Sequence, residues 1–338
     1  IYSLLSRWNP LDFVRPMPRP ASGYKVLVVG LGPAGFTLAH HLLNDGHTVV
    51  AIDGLKIEPL PAALSGVDRL GRHVPFQPVE KSSTLSAPLH QRATAGFGGV
   101  AEYGITVRWD KNFLTLIRLL LERRSRFSMI GGVRFGSTIA IDEALAAGFD
   151  HIALCTGAGK PTVLPLPNGL ARGVRQASDF LMALQLTRAA RGDSLANLQV
   201  RLPIIVIGGG LTAIDTATES LAYYPVQIER FLARYEELTR GSSEQALRST
   251  WSEEERLVAD EITVHARALR AERSAAAAAG RTPRIGELLQ EWGGATVVYR
   301  RGLTDAPSYR LNHEEVAHAM AEGVRFLEHA TPAAVEVD

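Results

Sequence analysis

Residues 25–53 read KVLVVGLGPAGFTLAHHLLNDGHTVVAID, an order of segments typical of the first unit of a dinucleotide-binding fold. Lys25–Val29 is an apolar run rich in Val, which suits a strand buried on both faces of a parallel sheet. We expect a helix to follow and to end at Gly46, and Thr48–Ile52 to form the next strand. The pattern predicts an α/β fold with a Rossmann-like domain.

The turn between the first strand and the helix, GLGPAG, has the glycine spacing of a pyrophosphate-binding turn. Gly30 makes the tight turn, Gly32 lets the backbone approach a pyrophosphate, and Gly35 lets the helix pack closely on the strand. Pro33 fits the first helical turn, where its missing N–H is no loss, and Ala34 completes the turn. We therefore expect a dinucleotide at this turn.

The same order returns at residues 203–215, PIIVIGGGLTAID. We expect Pro203–Ile207 to be a buried strand that leads into a GxGxxA turn, a permitted form of the fingerprint. Two such turns, separated by about one domain's length, predict two bound nucleotides. The candidate cofactor-binding residues of this second turn are Gly208, Gly209, Gly210, Leu211, Thr212, Ala213 and Asp215.

The residue at the end of each second strand indicates which nucleotide binds. Asp53 ends the strand that follows the first turn, where a carboxylate accepts hydrogen bonds from a ribose with a free 2′-hydroxyl. Arg300 and Arg301 end the predicted strand 295–299, where guanidinium groups accommodate a 2′-phosphate. The arginines favour NADP(H) at the second turn; the alternative is that they are only a solvated strand end.

Two other segments carry small turns. Val133–Phe135 and His151–Leu154 are expected to be further strands, and the second leads into Thr156, Gly157 and Ala158. A backbone-exposing turn at the carboxyl end of a strand is where open α/β sheets bind ligands. A glycine-rich turn at 98–105, GGVAEYGI, lies between Asp53 and these strands in the sequence. It supplies the candidate residues Tyr103, Gly104 and Ile105.

Composition restricts the function classes. The chain of 338 residues has 36 Lys and Arg against 35 Asp and Glu, a balance that gives no support to a nucleic-acid or membrane-surface partner. We also expect no membrane span, since no apolar run is long enough. The chain has one cysteine, Cys155, which we interpret as a small buried apolar residue. Redox chemistry must therefore pass through bound cofactors.

The expected domain organisation follows from these motifs. Residues 1–23 form an extended Pro-rich linker, 24–164 a first dinucleotide-binding domain and 165–338 an NAD(P)H-binding domain. The first domain contains a Pro-rich excursion at about 58–97, and the second a helical insertion at about 224–292.

The insertion reads as helical throughout. Ser252 and Glu255 form a capping box, residues 266–279 are strong helix formers, and Gly280 ends that helix. Because the Ala-rich stretch has little to bury, we expect either a solvated helical pair or, preferably, a docking arm.

Together these motifs resemble the NADPH-dependent flavoprotein (small, or β) subunit of glutamate synthase. Related proteins are the flavin half of dihydropyrimidine dehydrogenase and the NADPH-binding subunit of bifurcating ferredoxin:NADP oxidoreductases. The resemblance covers most of residues 18–338 outside the two insertions. It is carried by KVLVVGLGPAG at 25–35, GGVAEYGI at 98–105, ALCTGAGKP at 153–161, VIGGGLTAID at 206–215, VVYRR at 297–301 and HEEVAHAMAEGVRFL at 313–327.

The resemblance implies that NADPH passes a hydride to FAD, which releases single electrons to iron–sulfur centres in other segments or subunits. It places FAD at the first turn with Asp53, 103–105 and 156–158, and NADPH at the second turn with the arginine pair. The cofactors carry the chemistry, so no catalytic side chain or metal ligand is expected. An iron–sulfur partner, a larger complex or longer polypeptide, and a cytoplasmic location are also implied.

This sequence departs from the family pattern at several points. Thr106 replaces the Pro that follows YGI, and Asp53 is one methylene shorter than the usual Glu. The cysteine-rich amino-terminal region and the closing glycine–aspartate segment are absent, and the chain begins with Ile1, so we expect a chain cut at both ends. Two alternatives stay open at this point: a flavin enzyme acting directly on a small substrate, and a non-catalytic scaffold that retains the fold.

Overall fold

A computed structural model describes residues 18–87, 112–157, 161–196 and 198–337. The chain divides into two compact units. The first unit comprises Ile1–Val163 and Met182–Thr187, and the second comprises Leu164–Leu181 and Arg188–Asp338.

The first unit is a parallel four-stranded sheet with helices on both faces. Its strands lie in the order β3-β2-β1-β4, and Lys25 of β1 pairs with Thr48 of β2. One face packs Val26 and Val28 against Leu114 and other apolar side chains, and the other packs Leu27 and Val29 against Ala144 and Phe149. The elements are β1 (Lys25–Val29), α1 (Pro33–Asn44), β2 (Thr48–Asp53), α2 (Ala62–Ser65), α3 (Asn112–Glu122), β3 (Phe127–Gly131), α4 (Ile141–Ala146) and β4 (His151–Leu154).

The second unit contains a three-stranded parallel sheet in the order β5-β6-β7. The remaining elements of the chain are α5 (Ala177–Leu186), β5 (Ile204–Ile207), α6 (Leu211–Gly241), α7 (Glu244–Ser249), α8 (Glu253–Ala278), α9 (Ile285–Glu291), β6 (Ala295–Val298), α10 (Pro307–Ala321) and β7 (Arg325–Leu327). The predicted fold class, α/β with Rossmann-like parallel sheets, is confirmed.

Two strand predictions are wrong in detail. The strand expected at Val133–Phe135 is β3 at Phe127–Gly131, because buried Phe127 anchors it in the core and Gly132, at φ +74°, ends it. The strand β5 is not buried on both faces, since Ile205 and Ile207 are 67% and 43% exposed. Both crossovers step in the same direction across β5-β6-β7, so right-handed connections place their helices on one face only.

The helix after the second turn continues far beyond its expected length. The helix α6 runs through Tyr224 and Pro225 to Gly241. The proline removes one helical hydrogen bond, but Tyr224 before it and Ile228 and Leu232 beyond it are each at most 1% exposed. Tertiary packing therefore stabilises the helix across the proline.

The Ala-rich helix α8 is partly buried. It begins at the predicted Ser252–Glu255 capping box and packs against α6, with Ile262, Ala266 and Leu269 buried. Arg270 pairs with Glu236 across the two helices. Within the Ala-rich stretch 266–279, Ala266, Leu269 and Ala276 are buried and most of the other residues are exposed. The expectation that this stretch has little to bury therefore holds for most of its length. Among the described residues, no helix is long and apolar enough to cross a membrane.

Candidate nucleotide-binding sites

The first glycine turn joins β1 to α1 with a backbone that excludes side chains at two positions. Gly30 has φ +94°, and a Cβ added to it would lie 2.5 Å from the Cys155 carbonyl oxygen. A Cβ added to Gly35 would lie 1.8 Å from the Gly30 carbonyl oxygen. Gly32 precedes α1 in an extended conformation, and Pro33 is the first residue of the helix. Ala34 is exposed in its first turn. The amino-terminal end of α1 therefore lies at the glycine turn, the place where a helix can bind a pyrophosphate.

The carboxyl ends of three strands meet at this turn. The Gly30 N–H donates to the Ile52 carbonyl at 2.8 Å, and the Cys155 N–H donates to the Val29 carbonyl at 2.8 Å. Exposed Thr156 and Gly157 follow directly. In the order β3-β2-β1-β4, β1 and β4 flank the point where the chain reverses its direction across the sheet. That is the place where open α/β sheets bind ligands.

Asp53 is a buried carboxylate that accepts hydrogen bonds from two backbone groups. Its Oδ2 accepts from the Leu31 N–H in the glycine turn, and its Oδ1 accepts from the Leu55 N–H, both at 2.9 Å. The residue is 8% exposed. The carboxylate therefore holds the turn against the end of β2, a task that its position in the sequence does not reveal.

Replacing Asp53 with Asn is expected to lower the free energy of unfolding of the first unit by about 2 kcal/mol, since one oxygen that accepts a backbone N–H becomes an NH₂ donor. Urea denaturation of the variant measures this loss. Asp45→Asn is the control, because that carboxylate is half-exposed and forms an ion pair with exposed Arg19. Equal midpoints for wild type and Asp53→Asn would show that the two hydrogen bonds do not stabilise the turn.

The second glycine turn joins β5 to α6. Gly208 has φ +151°, and its N–H donates to the Val298 carbonyl at 3.0 Å, which ties the turn to β6. Gly210 lies at the amino-terminal end of α6, and within the described part of the chain no atom lies within 4 Å of a Cβ added there. Thr212 is exposed, and Leu211 is half-buried. The turn therefore leaves space beside Gly210 for a ligand to approach the backbone.

The other predicted residues of the second site lie in different surroundings. Ala213 and Asp215 are buried in α6, at 6% and 1% exposure. Arg300 and Arg301 are exposed just beyond β6. The structure brings the end of β6 beside the Gly208 turn and places the Asp215 side chain inside the unit. A nucleotide-binding role for each of these residues stays a prediction.

Four predicted cofactor-binding residues lie outside the described part of the chain: Tyr103, Gly104, Ile105 and Ala158. The half-buried Cys155 lies beside Gly30, and burial raises the pKa of its thiol. The group is therefore protonated at neutral pH, which fits a packing role. Within the described residues, no three His, Cys, Asp or Glu side chains are grouped to hold a metal ion.

Sequence reasoning missed the Tyr299 ring, which lies against Gly209 in the second turn. The sequence did contain a signal. The middle glycine of GGG, Gly209, occupies a position where the GxGxxA fingerprint accepts any residue. A glycine in excess of the fingerprint indicates that another group approaches the backbone closely.

The fold and the two turns define a protein with two Rossmann-like nucleotide-binding units. The chain belongs to the pyridine nucleotide-disulphide oxidoreductase family, whose model matches residues 24–257, more than half of the chain. This membership confirms the predicted enzyme class, an NAD(P)H-dependent flavoprotein oxidoreductase that uses FAD. The single cysteine provides no cysteine pair within this chain.

Several curated proteins are similar to this chain. An uncharacterized protein of Rickettsia prowazekii is 44% identical over 338 residues, covering 100% of this chain and 44% of that protein. The glutamate synthase (NADPH) small chain of Mycobacterium tuberculosis is 30% identical over 60% of this chain and 35% of that protein. The mitochondrial NADPH:adrenodoxin oxidoreductase of Salvelinus fontinalis is 27% identical over 62% and 34%, respectively. The chain therefore spans less than half the length of these relatives.

Proposed function

We propose that this chain is the NADPH-linked, FAD-binding module of an electron-transfer enzyme similar to the glutamate synthase small chain. The first turn binds FAD, and the second turn binds NADP(H). The observation that carries this assignment is the opposite charge at the two strand ends. A buried carboxylate, Asp53, ends β2, whereas two exposed guanidinium groups, Arg300 and Arg301, follow β6.

The residues present fit dinucleotides at both turns. An added Cβ at Gly157, in the turn beside Gly30, or at Gly210 has no atom of the described residues within 4 Å. A pyrophosphate can therefore approach the backbone closely at either turn. When bound, the two cofactors supply the hydride and electron chemistry. The chain's own residues bind them and hold each one at the carboxyl edge of a sheet.

Electrons are proposed to leave the module for iron–sulfur centres in other segments or subunits. Two facts support this proposal. The chain has one cysteine, too few to ligate a cluster, and its curated relatives are more than twice as long as the part they share with it. One of those relatives is named as the small chain of an enzyme, which favours assembly with a partner. A cytoplasmic location belongs to the same proposal.

The double variant Arg300→Ala/Arg301→Ala is expected to raise the apparent Kd for NADPH by about tenfold or more and to leave that for NADH nearly unchanged. Only NADPH carries the 2′-phosphate with which the guanidinium groups form charge-assisted hydrogen bonds. The rate of flavin bleaching in the full-length protein, measured against the concentration of each nucleotide, is half-maximal at the apparent Kd for that nucleotide.

Arg240→Ala/Arg267→Ala is the matched control, because it removes two exposed arginines from α6 and α8 and changes the net charge equally. Equal weakening of both nucleotides in the Arg300→Ala/Arg301→Ala variant would contradict the 2′-phosphate assignment. A wild-type protein without a flavin spectrum would contradict the proposed function as a whole.

A further inference from the structure

The second glycine turn is in direct contact with an aromatic ring. A Cβ added to Gly209 would lie 2.4, 2.6 and 2.7 Å from the Cε2, Cδ2 and Cζ atoms of Tyr299. Real Cβ atoms do not approach other heavy atoms this closely, so the ring occupies the space that a side chain at position 209 would need. Tyr299 directly precedes Arg300 and Arg301.

The glycine at position 209 is required for this contact and not for its backbone conformation. Gly208 has φ +151°, whereas the φ of Gly209 lies outside the left-handed region. At Gly210, which the fingerprint reserves for the approach of a pyrophosphate, an added Cβ has open space. The lack of a side chain at Gly209 therefore leaves room for the Tyr299 ring.

Hydrogen bonds hold both sides of the contact in place. The Tyr299 N–H donates to the Leu327 carbonyl at 2.9 Å, and the Tyr299 carbonyl accepts from the Ala330 N–H at 3.2 Å. The Gly209 carbonyl accepts from the N–H of buried Ser308, in the first turn of α10, at 2.9 Å. The ring therefore contacts a glycine turn that is hydrogen-bonded to α10, and it belongs to a segment that is hydrogen-bonded to the end of β7.

The two arginines beyond the ring have little to position them except this backbone. Both are exposed, and within the described residues neither side chain has a hydrogen bond or an ion pair. Long exposed side chains lose conformational entropy when they bind a ligand. A fixed backbone at the residues that carry them lowers that entropic cost. Two contacts join the turn to this part of the backbone: the hydrogen bond from the Gly208 N–H to the Val298 carbonyl, and the Tyr299 ring against Gly209. The ring contact is the one nearer in sequence to the arginines.

We infer that Tyr299 is the positioning residue for nicotinamide-nucleotide specificity at the second site. Its ring, seated on Gly209, holds the chain that carries Arg300 and Arg301 at the distance from the glycine turn that a 2′-phosphate requires. The inference rests on the proposed function, because it assumes that the second turn binds NADP(H).

The test is the ratio of the Kd values for NADH and NADPH, measured by equilibrium binding to the full-length protein. Tyr299→Phe keeps the ring and is expected to keep the wild-type ratio. Tyr299→Ala removes the ring and is expected to lower the ratio about tenfold, the effect of weakening one charge-assisted contact. A general loss of fold would change both constants together and leave the ratio intact.

Gly209→Ala displaces the ring and is expected to lower the ratio as Tyr299→Ala does. The double variant Gly209→Ala/Tyr299→Ala is expected to be no worse than Tyr299→Ala alone, since residues in contact have non-additive effects. Should Gly209→Ala fail to fold, the two Tyr299 variants decide the outcome by themselves.

The outcomes separate the inference from the function on which it rests. A wild-type preference for NADPH that Tyr299→Ala leaves intact overturns the inference alone. Additive effects of Gly209→Ala and Tyr299→Ala overturn it as well. A wild-type protein that binds both nucleotides equally overturns the proposed specificity and the inference together.

Discussion

Replacing Gly35 with Ala is expected to destabilise the first unit by about 3 kcal/mol, at the upper end of overpacking penalties, and to abolish FAD binding. The added Cβ would lie 1.8 Å from the Gly30 carbonyl oxygen and 2.9 Å from its carbonyl carbon. Both atoms belong to the backbone, so no side-chain rotation relieves the clash, and α1 must move away from β1. Urea denaturation and the flavin content of the purified protein measure the two effects.

Gly210→Ala is the matched control in the second turn. Its added Cβ has no atom of residues 18–87, 112–157, 161–196 or 198–337 within 4 Å, so the free energy of unfolding is expected to stay close to that of wild type. At the position that corresponds to Gly35, the second turn has Ala213, whose Cβ lies 3.7 Å from a Cβ added at Gly208. The two turns therefore differ in how closely helix and strand approach. A Gly35→Ala variant with wild-type stability and full flavin content would refute this account.

Replacing Arg118 with Ala is expected to destabilise the first unit by about 3 to 5 kcal/mol, because it leaves a buried carboxylate without its partner. The side chain of Arg118 is 2% exposed. Its Nε and Nη2 donate to the two carboxylate oxygens of Glu122 at 2.8 and 3.1 Å, and its Nη1 donates to the Glu58 carbonyl at 2.7 Å. The variant thus also releases the start of the Pro-rich excursion. The shift of the urea midpoint measures the loss.

Arg72→Ala is the matched control, since Arg72 and Asp68 form an ion pair with the same spacing of four residues. The Arg72 side chain is 71% exposed, so its loss is expected to cost less than about 1 kcal/mol. The double variant Arg118→Met/Glu122→Leu is expected to recover most of the lost stability, because it leaves no unpaired buried charge. Similar losses for Arg118→Ala and Arg72→Ala would show that burial does not govern the strength of these pairs.

Local sequence patterns were sufficient to predict the strands and turns around the first site. The strand β1 and the helix α1 lie where the apolar run and the glycine spacing place them, and β2 differs from its expected end by one residue. The exposed face of β5 could not be predicted in this way. Its apolar residues are the same as those of a doubly covered strand, and only the order of the strands decides which face the helices cover.

The candidate site shows the same division. Asp53 was identified as the residue that ends β2, but its hydrogen bonds to the N–H groups of Leu31 and Leu55 were not. The helical insertion was expected to begin at about residue 224, yet α6 continues from the second turn through Tyr224 and Pro225 to Gly241, with Tyr224 and its neighbours buried. A propensity describes one residue, whereas these outcomes depend on which groups pack against it.

The amino-acid sequence by itself determined the two α/β units, the two glycine turns and the opposite charges at the strand ends. Periodicity, glycine flexibility and side-chain charge are local properties, and each is legible in a few consecutive residues. The tertiary structure alone decided that Gly30 meets Cys155, that Asp53 holds the first turn, and that Tyr299 rests on Gly209. These contacts join residues far apart in the chain, and their distances exist only after the strands have paired and the helices have packed.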